Sequence, residues 1–233
     1  MLLPDDSSAT PRRAFLGQLA TVGVALAGAA CAGTTPAVAA APAPSTPRTP
    51  PVPPNDDWAA RITGKHKAVF DAPEVADGTV AANAFVYLMG YKEVYNLADA
   101  DLSTVLVLRH MAIPMAMDDA FWEKYDLGKW AKVKDPKTNK WARRNPFWKL
   151  AAGDTEGAEF TLDALNTRGA ILVGCGLAAK FMAGGIARKT KQSVDDVSAE
   201  LRAHLIPGLV LAPSGIFAVM RAQEAGCTYV RST

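Results

Sequence analysis

Beyond residue 60 the chain carries four short, uninterrupted apolar runs: Ala68-Val69-Phe70, Val105-Leu106-Val107-Leu108, Ala170-Ile171-Leu172-Val173 and Leu209-Val210-Leu211. None alternates with polar residues. Each therefore predicts a strand buried on both faces, as in a parallel sheet covered by helices. Thr228-Tyr229-Val230 predicts a short fifth strand at an edge. The intervening segments have helical spacing and helix punctuation. Asp77 stands where it would cap a helix whose apolar face is Val80, Ala81, Ala84, Phe85, Leu88 and Met89. Further helices are predicted over 118–125, 160–166 and 177–189, the last weakened by Gly184-Gly185. Ser193 opens the next in capping-box style, with Pro207 just past its end. Ser214 caps a helix over 215–225, and Gly226 stops it. Strand–helix–strand alternation with short links predicts an α/β fold with helices on a mainly parallel sheet of four or five strands.

The first part of the chain reads differently. Arg12-Arg13 precedes Ala14-Phe15-Leu16 and an uncharged run to Ala32 rich in Ala, Val, Leu and Gly, the layout of a secretory signal. The string from Pro11 to Leu16 resembles the twin-arginine export motif, with Pro11 where Ser or Thr is usual and Gly17 where Lys is common. The uncharged stretch of 19 residues is also near the lower limit for crossing a bilayer, so an uncleaved anchor is the alternative. Ala37-Val38-Ala39 fits a small-x-small cleavage site, and Ala30-Cys31-Ala32 is a second candidate. The expectation is a twin-arginine signal over 1–39, a periplasmic location and no membrane attachment once the signal is removed. Seven prolines between Ala40 and Pro54 then make a linker over 40–57 that favours extended polyproline II. The folded domain is expected over 58–233.

Charge excludes one class of function. With 25 Lys and Arg against 23 Asp and Glu, the formal net charge is +2, too small for a whole-protein basic field that binds nucleic acid. The positive charge is concentrated in 129–149, which has eight basic residues, one acid (Asp135) and interleaved Trp130, Trp141, Phe147 and Trp148. Asp135-Pro136-Lys137-Thr138-Asn139 is a turn signal that would pair 130–133 with 141–143 as a small hairpin. This insertion reads either as a surface for a protein partner or as a solvated loop whose tryptophans pack on the domain.

Candidate chemistry follows from the expected sheet. Ligands of open parallel α/β sheets bind outside the carboxyl ends of the strands. The four runs end at Asp71, at Arg109-His110, at Gly174-Cys175-Gly176 and at Pro213-Ser214-Gly215. A carboxylate, a guanidinium with an imidazole, a thiol and a hydroxyl thus converge on one edge. Cys175 precedes a helix, where unpaired N–H groups and the dipole stabilise a thiolate; the alternative is an inert buried cysteine. Cys227 starts a strand, at the opposite edge, out of disulfide reach of Cys175. His110 is a candidate for proton transfer. Asp71, Arg109 and Ser214 are candidate binding residues, with Arg109 suited to pair with Asp71. His66 and His204 fall away from this edge. No CxxC or HxxxH pattern exists, so a transition-metal site would have to be assembled from Asp71, His110 and Cys175.

Three segments together carry a family resemblance: 169–176 ending in Gly174-Cys175-Gly176, 207–216 with Pro207-Gly208 before an apolar strand, and 223–230 with Gln223, Gly226 and Tyr229. They resemble the DsrE/DsrF-like family, and the likeness extends over most of 65–230. It implies a three-layer, flavodoxin-like α/β/α fold, assembly into homotrimers or hexamers, and sulfur carried as a persulfide on Cys175. Export and the 129–149 insertion are departures from the family. Two functional expectations follow: a periplasmic sulfur carrier using Cys175 with His110, or a non-enzymatic protein that holds a metal or small ligand at the strand ends.

Overall fold

The computed structural model describes residues 57–233. The expected signal, including Arg12 and Arg13, and nearly all of the linker lie outside the described residues. Among the described residues, no helix is long and apolar enough to cross a membrane.

The described residues form the expected three-layer, flavodoxin-like α/β/α sandwich. Its sheet has five strands, all parallel: β1 (His66–Ala72), β2 (Leu102–Leu108), β3 (Ile171–Cys175), β4 (Leu209–Ala212) and β5 (Thr228–Arg231), in the order β4-β3-β2-β1-β5. The β1–β2 register pairs Val69 with Val105, and the β2–β3 register pairs Val107 with Val173. The unbroken apolar runs are explained by burial: every residue of β2 and β3 is buried. The edge strands β4 and β5 are only partly covered.

The helices are α1 (Thr79–Tyr95), α2 (Asp119–Tyr125), α3 (Leu127–Trp130), α4 (Leu162–Thr167), α5 (Gly176–Thr190), α6 (Val194–Ala203) and α7 (Gly215–Glu224). From β1 to β4 the chain steps across the sheet in one direction. Right-handed crossovers then put every intervening helix on the same face. There Leu88, Trp122, Leu165, Ala183 and Leu201 pack on Phe70, Leu106, Leu108 and Leu172. The step from β4 to β5 runs back over β3, β2 and β1, so α7 falls on the opposite face. That thin layer is α7 with a 3-10 turn, Asp57–Arg61; Trp58, Ile62, Ala218 and Ala222 cover Val69, Val105, Val107 and Ile171.

Most helix starts are as expected. Asp118, Thr161, Ser193 and Ser214 each accept a hydrogen bond from the backbone N–H three residues on. The expected cap at Asp77 is corrected: Asp77 sits in a 3-10 turn at φ 49°, and Gly78, also left-handed at φ 80°, occupies the N-cap with no side-chain bond. An Asp-Gly pair favours this turn because glycine takes positive φ without strain. Met89, expected on the buried face of α1, is exposed.

The entry to β2 is pinned by Asp99, whose two oxygens accept from Arg168 Nε at 2.8 Å and Nη2 at 2.9 Å. The Arg168 hydrogen bonds hold the Asp99 carboxyl below its ordinary range. A depressed carboxylate stabilises the fold above its unfolded-state pKa, and that contribution is lost as pH falls through the folded-state value. Both groups are partly solvated, so the contribution is under about 1 kcal/mol. Asp99→Asn is accordingly expected to lower the melting temperature slightly at neutral pH, and by less as the pH is lowered toward 3. Parallel melting curves for the two proteins across this range check it.

Candidate functional site

Adjacent strands β3 and β4 send their following helices, α5 and α7, to opposite faces of the sheet. Such a reversal opens a crevice at the carboxyl ends of the strands. A cleft of about 480 Å³ lies there. Its polar lining comes from Arg109 and His110 after β2, Cys175 at the end of β3, and Ser214 after β4. Met111, Trp130, Leu177, Phe181, Met182 and Ile216 supply apolar walls. The convergence expected from strand ends alone is therefore found for four of the five candidate residues.

Cys175 is both the last residue of β3 and the N-cap of α5, and its Sγ accepts a hydrogen bond from Ala178 N–H at 3.3 Å. Gly176 lets this turn form: a Cβ there would stand 2.7 Å from the Ala212 carbonyl oxygen. Ser214 Oγ caps α7 in the same way, accepting from Phe217 N–H at 3.1 Å. The N-termini of α5 and α7 thus both open on the cleft.

Asp71 does not line the cleft. It is buried on the thin face, and its carboxylate accepts from Arg109 Nε at 2.6 Å and Nη2 at 2.8 Å and from the Tyr229 hydroxyl at 2.9 Å. Its role is to fix Arg109, as the suggested pairing implied. The bonds to Asp71 hold the guanidinium above its ordinary pKa against the effect of burial, and the field of Cys175 acts in the same direction. Burial, then the bond to Asp71, push the Tyr229 hydroxyl upward. Gly215 packs directly on the Arg109 stem, since a Cβ there would lie 2.3 Å from Arg109 Cβ. Arg109 is clamped on two sides, with its Nη1 left without a hydrogen-bond partner among the described residues.

His110 is exposed and has a left-handed backbone, φ 50°, which turns the chain from β2 into a 3-10 helix, His110–Ala116. Histidine tolerates this region better than β-branched residues do. Among the described residues no hydrogen bond joins its ring to Cys175. His66 is the first residue of β1 and packs against Tyr91, with ring centroids 4.5 Å apart. His204 ends α6 and binds Asp118 through Nδ1 at 2.9 Å. Both are structural.

The metal expectation is corrected. Among the described residues no three His, Cys, Asp or Glu side chains cluster so as to hold a metal ion. The physical reason is that both oxygens of Asp71 are already committed to Arg109 and Tyr229.

The 129–149 insertion is packed onto the domain. Its hairpin is reduced to a single antiparallel bridge, Lys134 with Trp141. Asn145 is fully buried and fully engaged: Nδ2 donates to the carbonyls of Met115 (2.9 Å) and Met117 (2.7 Å), and Oδ1 accepts from Phe147 N–H (3.0 Å). Several basic side chains meet acids of the domain body, including Arg143 with Glu123 at 3.0 Å and Arg144 with Asp119 at 3.3 Å. Trp130 forms a wall of the cleft, while Trp141 borders a separate charged depression.

Sequence reasoning missed Tyr229, Phe181, Ile216 and Asn145. Tyr229 belongs to a segment already read as an edge strand, and only the strand order brings it beside Asp71. The two apolar residues sit at helical positions that spacing alone does not distinguish from core.

No known family model matches the chain, and no curated protein matches it. Among solved structures it is similar to a protein of unknown function from Methanobacterium thermoautotrophicum. The sequence identity is 14% and the TM-score 0.35, over 72% of this chain and 99% of that one.

Proposed function

We propose that the protein carries sulfane sulfur on Cys175. The observation that carries this reading is the placement of Cys175: although the residue is itself buried, it stands at an α-helix N-terminus, on the wall of an open cleft and within the field of Arg109. The Cys175 thiolate attacks the outer sulfur of a donor R–S–SH. The new Sγ–S bond forms as the donor S–S bond breaks, R–S⁻ leaves, and Cys175 becomes Cys–S–SH. An acceptor thiolate then attacks that outer sulfur, takes it, and regenerates the Cys175 thiolate. No external oxidant or reductant enters. His110, on the cleft rim, is the group that would exchange protons with the departing thiolate.

The position of the second described thiol favours a carrier over a dithiol oxidoreductase. Cys227 precedes β5 and therefore lies at the opposite edge of the parallel sheet, and both thiols are free. Burial also pushes the Cys227 thiol up to about 11, which disfavours its thiolate.

The test combines thiol labelling with sulfur loading. With iodoacetamide at pH 8, peptide mass spectrometry is expected to find Cys175 modified and Cys227 intact. With an organic persulfide donor, Cys175 is expected to gain one sulfur atom and Cys175→Ser none on any described cysteine. If the variant loads as wild type does, the carrier reading is wrong.

In this reading the protein works in the periplasm as a homo-oligomer, on the strength of the Arg12-Arg13 motif and the family resemblance. The second reading, a non-enzymatic protein holding a small ligand at the same strand ends, draws support from the size of the cleft, which falls in the range of small-molecule sites.

A further inference from the structure

We infer that the cleft binds an organic monoanion with an apolar body, its charged end toward Arg109 and its body along Trp130, Leu177, Phe181 and Ile216. The inference deepens the carrier reading by naming the R group of the sulfur donor, and only that link to sulfur rests on the carrier reading.

Charge selects the head. The lining contains one fixed cation, Arg109, and no carboxylate. Arg109 has Nη1 unclaimed, while Asp71, itself held by the Tyr229 hydroxyl, fixes its other side in place. The N-termini of α5 and α7, 15 and 10 residues long, point partial positive charge into the same space. Asp71 neutralises most of the guanidinium charge, so the site suits one negative charge better than two.

Surface selects the body. Phe181 is 72% exposed and Ile216 61%, with Leu177 and Trp130 also exposed beside them. These side chains ring the mouth of a cavity of about 480 Å³. A small inorganic sulfane anion would fill only a fraction of that volume and leave the ring wet. An alkyl or aryl body removes it from water, which is the main source of affinity in such sites.

The experiment is calorimetric titration of the full chain with three probes: octanesulfonate, ethanesulfonate (the same head without the body) and octyltrimethylammonium (the same body with the opposite charge). Octanesulfonate is expected to bind at least about tenfold more tightly than either of the others. Phe181→Ser changes a mostly solvated side chain, so its melting temperature should be unchanged while octanesulfonate affinity falls about tenfold. Equal affinity for the cationic probe, no binding, or no effect of Phe181→Ser would each overturn the inference. So would light scattering in which Phe181→Ser lowers the particle mass and wild type ignores octanesulfonate, for the apolar ring would then be a contact between copies. If octanesulfonate binds as expected but Cys175 takes up no sulfur, the carrier reading fails and this inference stands.

Discussion

Arg109→Met is expected to lower the stability of the folded domain by about 4 kcal/mol, the cost typical of stranding one partner of a buried ion pair. Asp71 is 2% exposed and depends on two hydrogen bonds from Arg109, at 2.6 and 2.8 Å, for most of its compensation. Methionine fills similar volume but donates nothing, and Tyr229 alone cannot replace both bonds. The reciprocal change is milder: in Asp71→Asn the guanidinium keeps partial access to water, with 23% of its side chain exposed. The double variant Asp71→Asn, Arg109→Met removes both charges and should recover much of the loss. Urea denaturation of the four proteins measures this cycle. A loss below about 1 kcal/mol for Arg109→Met would mean that the pair behaves as an ordinary surface bridge. The same variant removes the fixed cation beside Cys175, so sulfur loading should slow in whatever fraction remains folded.

Asn145→Ala has the second largest expected effect, about 3 kcal/mol. It leaves the carbonyls of Met115 and Met117 and the N–H of Phe147 without their partner in a buried site, and each orphaned group costs about 1–3 kcal/mol before any relaxation. Asn145→Asp should be no better, since it places a carboxylate against two carbonyl oxygens. Because Asn145 ties 129–149 to the 3-10 helix after β2, its loss should also free that segment. Limited proteolysis is expected to cut Asn145→Ala within 129–149 under conditions that leave wild type whole. An unchanged melting temperature and cleavage pattern would show that the surrounding ion pairs suffice to hold it.

The sheet was legible in the sequence because double-sided burial leaves an unbroken apolar run in the central strands; β4 carries such a run too, although at the edge it is only partly covered. Caps at Ser193 and Ser214 were legible because a side-chain oxygen before a helical pattern has one efficient use, whereas Asp118, read as the first helical residue, is in fact a cap. The place of β5 was not. A four-residue edge strand with three exposed positions has no burial pattern, and nothing local says that it lies beside β1. Without that neighbour, Tyr229 could not be assigned to Asp71, 158 residues away. Asn145 was hidden for a related reason. An Asn in a run of lysines and arginines reads as solvated, and only the carbonyls it meets in the fold give it a role. At the cleft, strand ends identified the polar groups correctly but could not separate Asp71, which supports, from Arg109, which faces the opening.

The thin face of the sandwich also bears on how the chain folds. Its cover is made from the first described residues, Trp58 to Ile62, and from α7 and Cys227 near the other end. The thick face can assemble progressively as β1 to β4 and their helices emerge from synthesis. The valines of the other face stay uncovered until α7 docks and β5 closes the sheet beside β1. Contacts between such distant parts of a chain form late and slowly. A nascent chain that stops short of residue 215 would therefore present a row of Val69, Val105, Val107 and Val173 together with an unpaired strand edge, a surface that chaperones and aggregation compete for.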